Sequence, residues 1–218
     1  MKMIRLQPVI GILLVFFISC KENKKQPAVS SAPRSDSNSV SDSIPNVNDD
    51  VVVNRYAPVD VSPMDMSYFP VDYPKLKMRD NHIASPIARV IYSRPHLEGR
   101  QLFHDVLKYG DRWRLGANEA TELDLYEEVS IQKKKIKPGR YVLYCILGPG
   151  KWSLVLNTNI DSWGLTQDTT KDIQRFEIPV THGNPTLEYF TMVFEKKDKG
   201  IDLIMAWDDV VAKLPIDF

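Results

Sequence analysis

Cysteine is nearly absent from this chain. Cys20 and Cys145 are the two thiols in 218 residues, which excludes a disulfide-stapled scaffold and a cysteine-rich zinc site. Histidine is sparse as well: His82, His96, His104 and His182 are scattered, with no His-Glu-x-x-His spacing. There is no Gly-x-Ser-x-Gly elbow, no glycine-rich phosphate loop and no internal repeat. An excess of one charge is also missing. Basic and acidic residues each total 28, so neither nucleic acid nor an anionic membrane surface is an electrostatically favoured partner. No apolar run is long enough to span a bilayer as a helix. No cofactor and no metal is expected.

What is present starts with Lys2 and Arg5, followed by an apolar run over 9–18. The run is about ten residues, the length of a signal-peptide core. It ends in Phe17-Ile18-Ser19-Cys20. This resembles a bacterial lipobox, where cleavage precedes the cysteine and the thiol is lipidated. An ordinary secretory signal with a coincidental cysteine is the other reading. Residues 1–19 are expected to be a lipoprotein signal peptide, with Cys20 the lipidation site. Loss of Lys2 and Arg5 leaves 26 basic and 28 acidic residues. The lipid, not charge, would then hold the protein to a membrane, because two or more acyl chains anchor stably.

Residues 21–50 are dense in Ser, Asn, Asp, Lys and Pro and hold no aromatic. Such a segment cannot bury enough surface to offset its ordering entropy. Residues 20–55 therefore read as a lipidated cysteine and a disordered tether, and thirty flexible residues reach roughly 30 Å. Lys21-Glu22-Asn23 resembles the charged tag of some surface-directed lipoproteins; a merely solvated tether is the alternative. The expected location is the bacterial outer membrane, facing the periplasm or the cell surface.

Residues 56–218 read as one folded domain. The three prolines at 63, 70 and 74 exclude a helix or a central strand there. The segment is expected to lie extended across the body and to bury Met66, Phe69 and Tyr73. Strand patterns follow at 87–93, 121–126, 129–132, 141–147, 151–157, 172–180, 187–195, 201–207 and 210–214, with a short helix expected over 101–108. At 121–126, Leu123 and Leu125 fall on one face, Glu122 and Asp124 on the other. Short strands with frequent turns predict an all-β fold, an antiparallel β-sandwich of jelly-roll type with at most one short helix. Cys145 sits in an apolar strand and is expected to be a buried, inert thiol.

The most distinctive stretch is Tyr92-Ser93-Arg94-Pro95, then Gly99-Arg100, then Tyr109-Gly110-Asp111-Arg112-Trp113-Arg114-Leu115-Gly116-Ala117-Asn118-Glu119-Ala120-Thr121. Lys137-Pro138-Gly139-Arg140-Tyr141, Trp163-Gly164 and Ala206-Trp207-Asp208 go with it. This ordered set resembles the bacterial family called domain of unknown function 2911, over essentially the whole folded part. The segment 62–74 resembles the N-terminal extension of a lipoprotein-type branch. Leu115 stands where many members have Thr, and Lys108 where many have Pro. The resemblance implies an exported β-sandwich with no established activity, and assigns no catalytic residue.

The residues themselves suggest a site. Arg94, Arg100, Trp113, Arg114, Asn118 and Glu119 bring guanidinium forks, an aromatic face and polar groups together in sequence. Arginine forks fit carboxylates, phosphates and sugar hydroxyls, and stack on rings. Such a set suits a small polar ligand or a glycan. For Arg114 and Glu119 the favoured reading is structural: an internal ion pair pinning the loop at Gly116, with Asn118 bonding backbone and any site lying beside the pair at Arg94, Arg100 and Trp113. Ser93 reads as a strand-end hydroxyl rather than a nucleophile, and Trp163-Gly164 as the best exposed aromatic. The leading function is non-catalytic binding or a structural envelope role. An uncharacterised hydrolase using Arg94, Arg114 and Glu119 is the alternative, and a protein-interaction module is the third.

Overall fold

The structure is a computed structural model that describes residues 59–183 and 185–218. The expected signal peptide, Cys20 and the tether over 20–55 lie outside the described residues. Within them the chain forms β1 (Met64–Phe69), β2 (Ala88–Ser93), β3 (Arg112–Trp113), β4 (Glu122–Leu125), β5 (Val129–Ile131), β6 (Lys134–Ile136), β7 (Gly139–Ile146), β8 (Lys151–Asn157), β9 (Asp172–Thr181), β10 (Leu187–Lys196), β11 (Ile201–Asp208) and β12 (Val210–Ile216). The fold is all-β and antiparallel with little helix. No helix among the described residues is long and apolar enough to cross a membrane.

The strands run in the order β1-β2-β4-β7-β8-β9-β12-β11-β10, with β3 added against β7 and a separate β5-β6 hairpin. β9 pairs with β8 from Asp172 to Pro179. It meets β12 only at Val180 and Thr181, so the sheet turns a corner there and its two parts pack as layers. Alternation drives this packing. Trp152, Leu154 and Leu156 of β8 are all buried, as are Leu203, Met205 and Trp207 of β11. The rings from both layers meet: Trp113 packs edge-on against Trp152 at 6.0 Å and Phe190 at 4.8 Å, and stacks on Trp207 at 5.8 Å. Each such pair adds about 0.5–1.5 kcal/mol beyond area burial.

Four sequence expectations are refined. β1 is an edge strand that buries Phe69 but leaves Met66 half-exposed. Tyr73 opens α1 (Tyr73–Arg79), because Pro74 at its start is pre-set for a helical first turn; none of its residues is buried. The short helix expected at 101–108 is a π-helical turn over Leu102–Val106. Glu122 and Asp124 do oppose the leucines of β4 but are buried. Each is held across strands by an arginine: Glu122 by Arg140 at 2.5 Å, and Asp124 by Arg89 at 2.5 Å. Cys145 is fully buried, and burial pushes its thiol well up from the ordinary value. It is therefore inert.

The two ends of the strand order, β1 and β10, face each other across a seam. Backbone bonds to β10 come from the stretch just after β2: Phe190 N–H donates to the Pro95 carbonyl and Leu97 N–H to the Glu188 carbonyl. Side chains close the rest. Ser67 Oγ donates to the Met192 carbonyl at 2.7 Å. Arg94 crosses the seam with all three nitrogens, donating to the Phe190 carbonyl at 3.2 Å, Asp65 at 3.3 Å and Thr191 Oγ1 at 3.2 Å.

Arg94→Ala is expected to lower stability by about 1.5–4 kcal/mol, since three hydrogen bonds are lost and each contributes about 0.5–1.5 kcal/mol. Arg94→Lys keeps the charge without the fork and should recover less than half of the loss. Urea denaturation of both variants checks this.

Candidate ligand-binding cleft

The loop 114–120 connects β3 to β4, and its shape is imposed by backbone hydrogen bonds. Ser93 ends β2 and is buried. Its Oγ accepts from Ala117 N–H at 2.6 Å and from Asn118 N–H at 2.9 Å. Trp113 Nε1 donates to the Gly116 carbonyl at 3.2 Å, and Thr121 Oγ1 to the Leu115 carbonyl at 2.6 Å. Leu115 is buried with a positive φ of 56°, a conformation unusual for a bulky side chain and found where the surroundings over-determine the backbone. At Gly116 a Cβ would sit 2.7 Å from Ser93 Oγ. Gly164 has φ 77°, and a Cβ there would sit 2.9 Å from Ala120 Cβ and 3.1 Å from Arg114 Cβ. Two glycines thus permit the close approaches that build the site.

Beside this loop lies a cleft of about 530 Å³, a size typical of small-molecule sites. Its charged lining is Arg100, Arg112 and Arg114 with Glu98, and its floor includes Trp113, Leu107 and Trp207. Arg100 is braced by the carbonyls of Leu97 at 2.8 Å and His96 at 2.7 Å. Arg114 Nη2 donates to the Ala117 carbonyl. The Arg114 guanidinium stacks 5.9 Å from the centre of the Trp163 ring, and its Nε is buried with no acceptor. Burial lowers the Arg114 guanidinium from its ordinary value, against the attraction of Glu119. It remains a cation, because arginine starts so high.

The cleft brings together Arg100, Trp113 and Arg114 of the residues singled out in the sequence. The others serve elsewhere. Arg94 clamps the seam and lines a neighbouring cleft of about 380 Å³ with Tyr189 and His96. Asn118 does bond backbone: its Nδ2 donates to the Ser62 carbonyl at 3.0 Å and to Asp60 Oδ2 at 2.6 Å. This straps the segment 60–62 along the rim. Glu119 is exposed and forms no ion pair with Arg114 among the described residues. The expected pair is thus overturned, because the loop turns Glu119 to solvent while Arg114 folds back on Trp163. Trp163 is 53% exposed, as anticipated for the loop aromatic.

Residues 74–216 match the family described as protein of unknown function (DUF2911). The chain belongs to this family. No curated protein and no solved structure matches it. The DUF2911 stretch contains all three cleft arginines and the loop 114–120. It excludes β1 and the strap at 60–62 that lines the cleft through Val61 and Ser62.

Sequence reasoning missed Arg112, Glu98 and Leu107. For Arg112 a signal existed: the sequence alternates Arg112, Trp113, Arg114 across β3 and the start of the loop, so a buried ring is flanked by two cations. The acids and the hydroxyl nearby offer little chemistry. Glu98 is the one carboxylate on the cleft lining, Ser93 is buried with its oxygen occupied, and no group of three metal-ligating side chains occurs among the described residues.

The loop gives a paired prediction. Glu119→Gln should change stability by less than about 0.5 kcal/mol, as for exposed positions generally. Gly116→Ala should cost about 1–3 kcal/mol, because it displaces a hydroxyl that satisfies two amides. Urea midpoints of the two variants test the contrast.

Proposed function

We propose that this domain binds a small polar ligand or a glycan, without turning it over, in the cleft of Arg100, Arg112 and Arg114. The observation that carries this reading is the lining: several guanidinium groups above an apolar floor in a cleft of about 530 Å³. Clefts of this size with a few convergent polar groups are the usual form of ligand sites. A hydrolase has less support. Two-carboxylate hydrolysis needs a second acid beside Glu98, and Ser93 has no exposed oxygen to act as nucleophile.

The same proposal places the domain at the bacterial outer membrane, facing the periplasm or the cell surface. The lipobox at Phe17-Ile18-Ser19-Cys20 and the polar stretch 21–50 support it. Cys20→Ala is expected to abolish metabolic labelling by a fatty-acid analogue and to leave a longer precursor. Label that persists in this variant overturns the lipoprotein reading.

Saturation-transfer NMR against a panel of neutral sugars, sugar acids and sugar phosphates tests the cleft. At least one member should bind, and Arg114→Gln should weaken it by roughly 10- to 100-fold, the equivalent of about 1.5–3 kcal/mol for a hydrogen bond to a charged group. Chemical turnover of a bound member would overturn the non-catalytic reading.

A further inference from the structure

The cleft arginines differ from those that brace the sheets. Arg89, Arg94 and Arg140 each meet a carboxylate within 4.0 Å: Asp124, Asp65, and Glu122 with Asp161. Among the described residues Arg100, Arg112 and Arg114 meet none, as is true of the exposed Arg79 and Arg175, but these three gather in one cleft. Their hydrogen bonds go to neutral carbonyls, or in the case of Arg112 to no described residue. Like charges gathered without counter-ions repel, and desolvation makes this worse. Glu98 is the sole acid on the lining, so the lining carries a formal excess of two positive charges. The buried Arg114 Nε adds a donor with no acceptor.

Resting on the binding reading above, we infer that the cleft takes a doubly charged small anion, a phosphate monoester or a dicarboxylate attached to a body of monosaccharide size. Two guanidinium groups are pre-set: Arg100 by two carbonyls, Arg114 by Ala117 and the Trp163 ring. Fixed forks suit bidentate contact with an oxyanion. Arg112 stands exposed on β3 with its side chain bonded to no described residue, so it can swing onto the second charge. A bare phosphate would leave most of about 530 Å³ empty, since each water in the liquid takes about 30 Å³. The floor of Trp113 and Leu107 offers apolar contact to the remaining body. A polyanion fits poorly, because basic and acidic residues balance at 28 each over the chain.

The test is isothermal titration of the full chain with four probes: glucose 6-phosphate, succinate, glucuronate and glucose. A dianion should bind at least about tenfold more tightly than glucose, with glucuronate between them. Arg112→Gln, and Arg114→Lys, which keeps the charge but loses the fork, should each weaken dianion binding about tenfold while the melting temperature of Arg112→Gln stays unchanged. Preference for glucose 6-phosphate over succinate identifies the phosphate source, and the reverse identifies the carboxylate source. Phosphate binding should also weaken from pH 7 to pH 5, as the ester dianion takes up a proton near pH 6 and becomes a monoanion. Equal binding of glucose and glucose 6-phosphate, unmoved by Arg112→Gln, overturns the dianion inference and leaves the binding reading intact. Failure of both dianions to bind also overturns it, and the sugar panel decides the binding reading independently.

Discussion

The hydroxyl of Ser93 accepts hydrogen bonds from two successive backbone amides, those of Ala117 and Asn118. Much of the cleft depends on that one oxygen. Stranding a buried donor costs about 1–3 kcal/mol, so the loop has one conformation in which both amides are satisfied. That conformation forces Leu115 into the left-handed region and brings Gly116 against β2. It turns the Ala117 carbonyl to Arg114, and it aims Asn118 at the strap. A small residue at the end of a strand thereby sets the positions of charges it does not touch.

Local patterning carried the fold far. β8 occupies the span 151–157 that alternation indicates, and the apolar run around Cys145 is a central strand. Apolar period and turn chemistry are local properties, so they are readable along the chain. The two-residue strand β3 and the helix at Tyr73–Arg79 carry almost no such signal. The site was legible in residue type but not in partner. Arg94 and Arg114 have the same chemistry and stand in one motif. Arg94 lies where the first and last members of the sheet order meet, and three acceptors consume it. Arg114 lies on a loop next to open space. Only the closure of the sheet separates these roles, and closure is a long-range property.

The family stretch and the cleft do not coincide completely. DUF2911 residues supply the arginines, the rings and the loop. The chain before Pro74 supplies β1, Asp65 beneath Arg94, and the rim at Val61 and Ser62. The edge strand therefore has two uses. It covers β2, which would otherwise present unpaired backbone groups to other chains, and it carries the segment that narrows the cleft mouth.

The direction of β1 has a practical side. Its first residue, Met64, adjoins the strap at the cleft, while its last, Phe69, packs 5.9 Å from Phe218. Six extended residues separate these points by roughly 17–20 Å. The chain enters the domain beside the cleft mouth, and Phe218 lies at the far end of the same strand. A label, fusion partner or immobilising tag joined to Phe218 therefore leaves the mouth unobstructed, whereas a bulky group placed just ahead of Val59 crowds it.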